Sequence, residues 1–562
     1  MKRRDFVQSG LLSSVAGRFL PAMFLQMLIE GRYTQALAQQ SQAPPRRLLD
    51  IHMAGGVPGW IWSLPLSPFS TQTFQHNIAA SNYVESNGQP TYRTTAIQKA
   101  SKTFHMPHLW STTIPTSAGL QVPMSDLMDQ MMILRGYKYS GDGHFLNFRE
   151  SVWPEIGQRS FSGLVADAAQ AQSIPIPAVT TDQPYANTFR AHRAGVKSLR
   201  WQNLVETTSV LSDLMLPFTP NQGMKTLLSK RASFSQAFDA AMLALKRDAQ
   251  ANNQKNDSAF NAVASAEQLI KRDFGNLTEA YSQLVSKYDS LIAGCTNMES
   301  VLSAVTPPTS GSGSQWRRVN MSGMTLATNP DLRQIIKANT KPSLLAEVFA
   351  VAEFLLTQNL STSILGGVGS AENLDLRFID DAGQEKLFSA AGFDEHFTGV
   401  AVSIVINTFV FKAVAACTYE LIQRLKQQGA FDETVIRLFS EFSRSPRDSQ
   451  GDELGGTGSD HGWTAGHYMT FCGAIKKPFI IGNTRINSDL NNGSYRGSWG
   501  SAARSQTPGS ILTKELTWHE ASSTLAKILR VPSPTPTAAS VVSESSTDGI
   551  VAMIGDSENK NE

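Results

Sequence analysis

The chain has 562 residues, of which 41% are hydrophobic and 17% are charged, with 41 glycines and 26 prolines. This composition allows a large folded core and excludes collagen-like, coiled-coil and wholly disordered proteins. Lysine and arginine number 49 and aspartate and glutamate number 47, which gives a formal net charge of +2. Because electrostatic nucleic-acid binders carry a clear basic excess, this balance argues against nucleic acid as a partner.

Residues 1–38 have the pattern of a Tat signal peptide. A twin arginine at positions 3 and 4 precedes an apolar stretch, and the tripeptide at positions 36–38, Ala-Leu-Ala, is a small-x-small cleavage pattern. Arg18 interrupts the apolar stretch, whereas a membrane-spanning helix needs about 20 predominantly apolar residues. We therefore predict a periplasmic or secreted protein without a stable membrane span. The Tat translocase and signal peptidase would be its partners during export.

The first half of the remaining chain contains two predicted strands and a helical segment. Apolar runs at 46–53, followed by a Gly-Gly turn, and at 131–135 predict buried strands, while the Ser-, Thr-, Pro- and Gln-rich residues 63–125 predict loops. Residues 224–305 predict a helical insertion closed by a Pro-, Ser- and Gly-rich linker. Its clearest stripe has helical spacing and favours core packing over a cofactor role: Leu277, Tyr281, Leu284, Val285, Tyr288, Leu291 and Ile292.

The second half alternates between helices and short strands. The pattern predicts helices over 344–356 and 400–428, each followed by an apolar strand, at 362–365 and 435–439. Such alternation is typical of an α/β fold with a mostly parallel sheet covered on both faces. The three cysteines form no metal or redox motif and are expected to be small buried residues. Residues 531–562 are Ser-, Thr- and Pro-rich, then acidic and polar, and predict a disordered tail.

Metal-type ligands occur in loops after the predicted strands. Asp394 and His396 precede the long helix, and Asp460, His461 and His467 follow the strand at 435–439. Carboxylate and imidazole ligands suit a divalent metal such as Zn, Mn, Fe or Ca, and such a cluster could support ester hydrolysis. The same residues could instead cap turns and helices or be ordinary polar loop residues.

Two further residues are candidates for a catalytic role. His144 lies in a Gly-rich loop after the strand at 131–135, and Arg444 lies close to the candidate metal ligands in sequence. The Arg444 guanidinium could clamp an anionic group with two hydrogen bonds. A solvent-exposed loop for His144 and a surface ion pair for Arg444 are the alternatives.

The motifs together resemble those of a known family. In chain order they are the twin-arginine leader, Gly-Phe-Asp-Glu-His at 392–396, Asp-His-Gly-Trp at 460–463, Gly-His-Tyr at 466–468 and Ile-Ile-Gly at 480–482. This order resembles the Tat-exported bacterial domain-of-unknown-function family 1501 (DUF1501), grouped by fold with alkaline phosphatases and sulfatases. The resemblance implies a three-layer α/β/α sandwich of the alkaline-phosphatase type over residues 39–530. It also implies that the Asp and His candidates named above hold one or two metal ions.

Two functions follow from the resemblance. The first is a metal-dependent hydrolase whose substrate is a small anionic phosphate or sulfate ester. The second is a non-catalytic periplasmic or cell-surface protein that uses the fold for binding or assembly. Pro58 stands where the family usually has an aspartate after the first strand, which favours the second function. The retained Asp-His pairs favour the first, an inference that depends on analogy with the superfamily.

Overall fold

The computed structural model of the protein describes most of the predicted sheet and its helices. The described residues are 43–63, 83–86, 89–92, 95–154, 159–169, 174, 178–181, 189–191, 199–201, 275–295, 320–321, 324–325, 331–337, 344–368, 376–379, 385–388, 400–446, 459–462, 466–482 and 516–553.

Within these residues the largest sheet has eight strands. They are β1 (Arg47–His52), β2 (Met131–Tyr137), β3 (Val179–Thr181), β4 (Leu199–Trp201), β5 (Ser363–Gly367), β6 (Thr434–Phe439), β7 (Gly466–Phe471) and β8 (Phe479–Ile481). Their order across the sheet is β4-β3-β5-β1-β6-β7-β2-β8. Neighbours are parallel except that β7 is antiparallel to both β6 and β2. The mixed α/β class with a mostly parallel sheet is therefore confirmed.

Apolar side chains cover both faces of this sheet because successive residues of a strand point to opposite faces. On β1, Leu48 belongs to one buried cluster, while Leu49 and Ile51 belong to another. The Leu48 cluster includes residues of the helices α1 (His144–Val152), α2 (Phe161–Ala168) and α6 (Trp518–Leu529). The Leu49 cluster includes residues of the helices α3 (Gly275–Gly294), α4 (Leu344–Thr357) and α5 (Val400–Gln427). Helices therefore pack against each face, as the alternating pattern predicts.

The apolar stripe of α3 packs in the core as predicted. Tyr281, Val285 and Tyr288 are fully or almost fully buried, and Leu291 and Ile292 lie in the same cluster. The rest of the predicted helical insertion, residues 224–274 and 296–305, lies outside the described residues. The three cysteines are buried and free, as expected, and burial raises the pKa of Cys295 to about 12.

The segment 63–125, predicted to consist of loops, contains strands. β-Branched and aromatic residues scattered among its polar residues pair into three antiparallel hairpins with short turns, a local pattern that the overall polar composition conceals. The hairpins are Tyr83–Ser86 with Gln89–Tyr92, Thr95–Lys99 with Lys102–Met106, and Thr113–Pro115 with Gln121–Pro123.

Other short elements complete the described structure. They are the helix Gly59–Trp62, the 3-10 helices His108–Ser111, Met124–Gln130 and Phe431–Glu433, and the strands Asn320–Met321, Met324–Thr325, Asp331–Lys337, Leu376–Ile379, Glu385–Phe388, Ser443–Pro446, Ser459–Gly462, Val542–Ser545 and Gly549–Ala552. Among the helices in the described ranges, none has the length and apolarity needed to cross a membrane.

Residues 531–553 are folded, in contrast to the disordered tail predicted for this region. Val542–Ser545 and Gly549–Ala552 form an antiparallel hairpin whose Val542 and Ile550 are buried in the same cluster as α6. The composition of the segment conceals these few apolar anchors. Glu544 ties the hairpin to the rest of the molecule, because it pairs with Arg46 at 2.5 Å and with Arg530 at 2.7 Å.

Replacing Glu544 with glutamine should destabilise the protein. Burial alone would raise the pKa of this carboxyl, but the hydrogen bonds and charges of Arg530 and Arg46 lower it to about 2. At pH 7 we expect Glu544→Gln to lower the free energy of unfolding by about 1–3 kcal/mol. Since the folded pKa lies below the unfolded value of about 4.3, this contribution is complete above that pH and is lost as the pH falls towards 2. Urea unfolding at several pH values measures the difference.

Glu433→Gln is the matched control for Glu544→Gln. Glu433 pairs with the same Arg530 at 3.0 Å, but 44% of its side chain is exposed. Exposed ion pairs contribute little, so its loss should be well below that of Glu544→Gln. A Glu544→Gln difference that stays constant from pH 7 down to pH 2 would contradict the ion-pair explanation.

Candidate functional site

Several chain segments that carry histidines and carboxylates meet at one edge of the sheet. β1 ends at His52, β6 ends at Phe439 just before Glu441, and β2 ends at Tyr137 before the loop that leads to His144. These three strands run in the same direction, so their carboxyl ends lie at the same edge, where ligand sites of α/β proteins form. The antiparallel β7 begins at this edge.

The Glu441 carboxylate is the centre of this edge. It is fully buried and accepts a hydrogen bond from His52 Nε2 at 2.8 Å through Oε2. Its other oxygen, Oε1, accepts from His144 Nδ1 at 2.7 Å and from the backbone N–H of Gly55 at 2.7 Å. Glu441, two residues after β6, thereby holds the end of β1, the turn that follows β1 and the first residue of α1.

These donors keep Glu441 ionised. Burial alone would raise the pKa of the carboxyl, but the charge of His52 and the hydrogen bonds from His144 and His52 outweigh it. The pKa of Glu441 consequently lies far below its ordinary value. A carboxylate only accepts hydrogen bonds, so Nδ1 of His144 carries a proton. When the ring is neutral, Nε2 is therefore its basic nitrogen.

A second carboxylate–histidine pair lies beside the first. His461 Nδ1 is 2.5 Å from Asp142 Oδ1, and the His144 and His461 rings meet edge to face with centroids 4.6 Å apart. Phe442 packs against both rings, at 4.8 Å from His144 and 4.3 Å from His461. Burial lowers the pKa of His461, the Asp142 hydrogen bond opposes this shift, and the charge of Arg444 adds to it. We call Asp142, His461, His144, Glu441 and His52 the histidine–carboxylate cluster.

The Gly-Gly turn after β1 is shaped by Arg444 and Phe442. Gly56 has a φ of +85°, and a Cβ on it would overlap the Phe442 ring and lie 3.0 Å from Arg444 Nε. Arg444 is fully buried, and its Nε and Nη2 both donate to the Gly55 carbonyl, the former at 2.7 Å. Arg444 therefore fixes the turn that donates to Glu441.

Helix α1 is also held at its other end. Asp50 on β1 and Arg437 on β6 face each other in register and form two hydrogen bonds of 2.7 Å each. Arg437 Nη1 also donates to the carbonyl of Ser151 at 3.1 Å. The Tyr139 hydroxyl lies 2.8 Å from Ser151 Oγ and donates to the Ser440 carbonyl at 3.1 Å. Both ends of α1 are thus fixed to β6 and the residues that follow it.

The structure brings together only some of the predicted site residues. His144 and His461 are in ring contact, and Arg444 faces His461 in the register of two short strands. His467 is buried at the same edge, near the start of β7, but its ring packs 5.3 Å from that of Trp62, and no contact between described residues joins it to the other two histidines. Asp394 and His396 lie outside the described residues, and of Asp460 only the backbone position in the strand Ser459–Gly462 is described.

The described side chains include two carboxylate–histidine pairs of the kind found around protein-bound metal ions. Asp142–His461 and Glu441–His144 have the arrangement in which a carboxylate orients a metal-ligating imidazole. In the described part of the chain, however, no group of three or more His, Cys, Asp or Glu side chains could hold an ion. A metal site at this edge would therefore need further ligands from residues whose side chains are not described, such as Asp394, His396 and Asp460.

Three residues of the cluster were not selected from the sequence. His52 reads as the end of a buried strand, Glu441 as a residue between a strand and a loop, and Asp142 as part of a tight Gly-Asp-Gly turn. The available signal was positional, because each follows or ends a predicted strand of the parallel sheet. The pairings themselves join residues about 300 or more positions apart in the chain.

The fold and the cluster define an α/β protein with a partly buried polar site at the carboxyl edge of its sheet. Residues 380–489 match the family model described as Protein of unknown function (DUF1501). The match supports the DUF1501 resemblance of the motifs and includes Glu441, Arg444 and His461. No curated protein and no solved structure gives a significant match to the chain.

Removing the Glu441 charge should loosen the whole edge. Glu441→Gln replaces an acceptor of four hydrogen bonds, the fourth from the Ser440 hydroxyl at 3.0 Å, with a group that must also donate. We therefore expect a loss of about 3–5 kcal/mol in the free energy of unfolding. Urea unfolding at pH 7 measures it. The control is Glu353→Gln, a buried carboxylate that accepts from Tyr288 at 2.6 Å in the helices on the Leu49-cluster side. Both variants remove a buried charge, so both should lower the free energy of unfolding. A larger loss in Glu441→Gln than in Glu353→Gln would show that the histidine–carboxylate cluster depends on the Glu441 charge, and equal losses would contradict this.

Replacing Gly56 with alanine should disturb the turn through both strain and overlap. The positive φ and the contact with Phe442 should together cost about 2–4 kcal/mol in the free energy of unfolding. Gly119→Ala is the control, because Gly119 has a φ of +75° with nothing within 4 Å of an added Cβ. Its cost should be about 1 kcal/mol. Equal losses in the two variants would show that the Phe442 and Arg444 contacts do not restrict the turn.

Proposed function

We propose that the protein is an exported hydrolase of phosphate or sulfate esters on a three-layer α/β/α fold of the alkaline-phosphatase type. The observation that carries this proposal is the buried Glu441 carboxylate, which holds His52 and His144 at the carboxyl edge of a mostly parallel sheet. Supporting it are the helices on both faces of the sheet and the DUF1501 match.

His144 is the proposed general base. Glu441 holds the Nδ1 proton of this ring, so Nε2 takes a proton from a water molecule as the water oxygen bonds to phosphorus or sulfur. The bond from phosphorus or sulfur to the ester oxygen breaks, and the leaving oxygen keeps the electron pair and takes a proton from solvent. Phe442 and Asp142 keep His461 beside His144, where its charge state influences the same water.

A divalent metal is part of this proposal. Zn, Mn, Fe or Ca would be held by His461 together with Asp394, His396 and Asp460, and when bound it would supply Lewis-acid chemistry at the ester. Asp142 would orient His461 for that role. His467, packed against Trp62, is left with a structural role in this scheme.

Export by the Tat route is the proposed path to the periplasm or the outside of the cell. It is supported by the twin arginine at positions 3 and 4 and the cleavage pattern at 36–38. The Tat translocase and signal peptidase would act on the chain in transit. N-terminal sequencing of the exported protein should begin at residue 39, and a start elsewhere would contradict the predicted cleavage.

A non-catalytic binding or assembly protein is the second candidate. Pro58 stands where the resembling family has an aspartate, and the Arg444 guanidinium donates to the Gly55 carbonyl within the fold. The first observation removes an expected metal ligand, and the second engages the guanidinium that could have bound an anionic substrate. Both favour a protein that binds a partner without catalysing a reaction.

One experiment separates these functions. The full-length protein, purified without added metal or chelator, is assayed for metal content and for hydrolysis of p-nitrophenyl phosphate and p-nitrophenyl sulfate. His144→Gln should lower kcat by about 100-fold or more, as expected for loss of a general base. His105→Gln, on the strand Lys102–Met106 outside the cluster, is the control and should leave kcat unchanged.

The outcome decides between the candidates. Hydrolysis that depends on His144, with a metal lost in Asp460→Asn, supports the hydrolase and its metal. Hydrolysis without a bound metal supports the base but contradicts the metal. A folded protein that hydrolyses neither ester, with or without added Zn, Mn, Fe or Ca, contradicts the hydrolase and leaves the binding protein.

A further inference from the structure

Helix α1 carries a buried carboxylate that the proposed function does not use. Glu150 is 2% exposed, and both described hydrogen bonds of its carboxylate come from Ser140. Oε2 accepts from the Ser140 backbone N–H at 3.1 Å, and Oε1 accepts from the Ser140 hydroxyl. A carboxylate in a protein interior is costly unless hydrogen bonds replace its water, so these two bonds are needed for Glu150 to be buried there.

The segment that Glu150 holds is the loop that places Asp142. This loop, residues 140–143, joins the end of β2 to the start of α1. Glycines stand on both sides of Asp142, and Gly143 has a φ of +154°, so the loop sequence by itself allows many backbone conformations. The Asp142 side chain is 55% exposed and contacts His461 Nδ1 at 2.5 Å. The position of Asp142 against His461 therefore depends on what fixes the loop.

The two ends of the loop are fixed by other contacts. Before it, the buried Tyr139 hydroxyl lies 2.8 Å from Ser151 Oγ. After it, His144 pairs with Glu441. Between these two points, Glu150 is the one described side chain that hydrogen-bonds the loop backbone. Its removal would leave four successive residues, two of them glycine, without that restraint.

We propose that Glu150 is a positioning residue, which holds Ser140 through two hydrogen bonds so that Asp142 meets the Nδ1 atom of His461. Glu150 contacts neither member of that pair. Helix α1 would then orient both imidazoles of the cluster, since it carries His144 itself and holds the Asp142 loop through Glu150. A site needs such support to keep its geometry. The consequence of this positioning for catalysis rests on the proposed function.

The test reads the tautomer of the His461 ring by ¹⁵N NMR. Full-length protein labelled at histidine is measured without added metal at pH 8, where a histidine ring with its ordinary pKa of about 6.5 is neutral. His461→Gln assigns the signals. Because Asp142 accepts from Nδ1, the wild type should carry its proton on Nδ1. Glu150→Leu should lose this fixed tautomer, as Asp142→Ala does. An unchanged His461 ring in a folded Glu150→Leu variant would overturn the proposal.

Two variants distinguish positioning from a general loss of stability. In Glu150→Gln the amide can still accept from the Ser140 N–H and can donate to its hydroxyl, so most of the Nδ1 tautomer should remain. Asp167→Leu removes another buried carboxylate, on α2, which pairs with Arg159 at 3.3 Å. It should lower the free energy of unfolding and leave His461 unchanged. A loss of the tautomer in either variant as large as in Glu150→Leu would overturn the proposal.

A smaller change serves if Glu150→Leu does not fold. Ser140→Ala removes only the hydroxyl contact with Glu150 and keeps the backbone N–H contact, at a residue that is itself exposed. It should shift part of the His461 population away from the Nδ1 tautomer. No shift would overturn the proposal.

An activity measurement tests whether Glu150 acts through Asp142. If the wild type hydrolyses the esters, Glu150→Leu and Asp142→Ala should each lower kcat by about tenfold or more, as expected when a support of a site histidine is lost. The double variant should lose no more than the larger single loss, because both changes break the same contact. Multiplied losses would show that Glu150 acts independently of Asp142, and would overturn the proposal.

The results separate this inference from the proposed function. A His461 tautomer that depends on Glu150, in a protein that hydrolyses neither ester, supports the inference and contradicts the hydrolase. Ester hydrolysis together with an unchanged His461 ring in Glu150→Leu supports the hydrolase and overturns the inference.

Discussion

The buried carboxylate of Glu441 is the contact on which the candidate site depends. One side chain, placed two residues after β6, accepts hydrogen bonds from the last residue of β1, the first residue of α1 and the turn after β1. An ionised carboxylate in a protein interior is stable only if its hydrogen bonds and neighbouring charges replace water. The segments that converge there therefore have little freedom to move without leaving the charge uncompensated.

The Asp50–Arg437 pair plays the matching role inside the sheet. It joins β1 to β6 in register, and Arg437 reaches the carboxyl-terminal end of α1 through the Ser151 carbonyl. Breaking a buried pair of this kind by removing one partner costs several kcal/mol. With Glu441 at one end of α1 and Arg437 at the other, the helix that carries His144 and Glu150 has a fixed position above the edge of the sheet. Rigid support of this type is what a binding or catalytic site requires.

The sequence predicted the regular elements well and the irregular ones poorly. The helices found at Leu344–Thr357 and Val400–Gln427 and the strand at Thr434–Phe439 differ from their predicted bounds by one residue, because long apolar periodic segments specify their own structure. The hairpins within 63–125 and the folded residues 531–553 were missed. Their strands are short and polar, and they are stabilised by distant partners, such as Arg46 for Glu544.

The sequence by itself determined the α/β class, the order of the main strands and helices, and the motifs that resemble DUF1501, since these depend on local periodicity and on residues close together in the chain. His144 and His461 could be named from their loops, but their contact could not. Only the tertiary structure decided that His52, Glu441 and Asp142 complete the cluster and that Arg444 is used to hold a turn. The physical reason is that each of these contacts joins residues 297 to 389 positions apart, which only the packing of parallel strands brings to one edge.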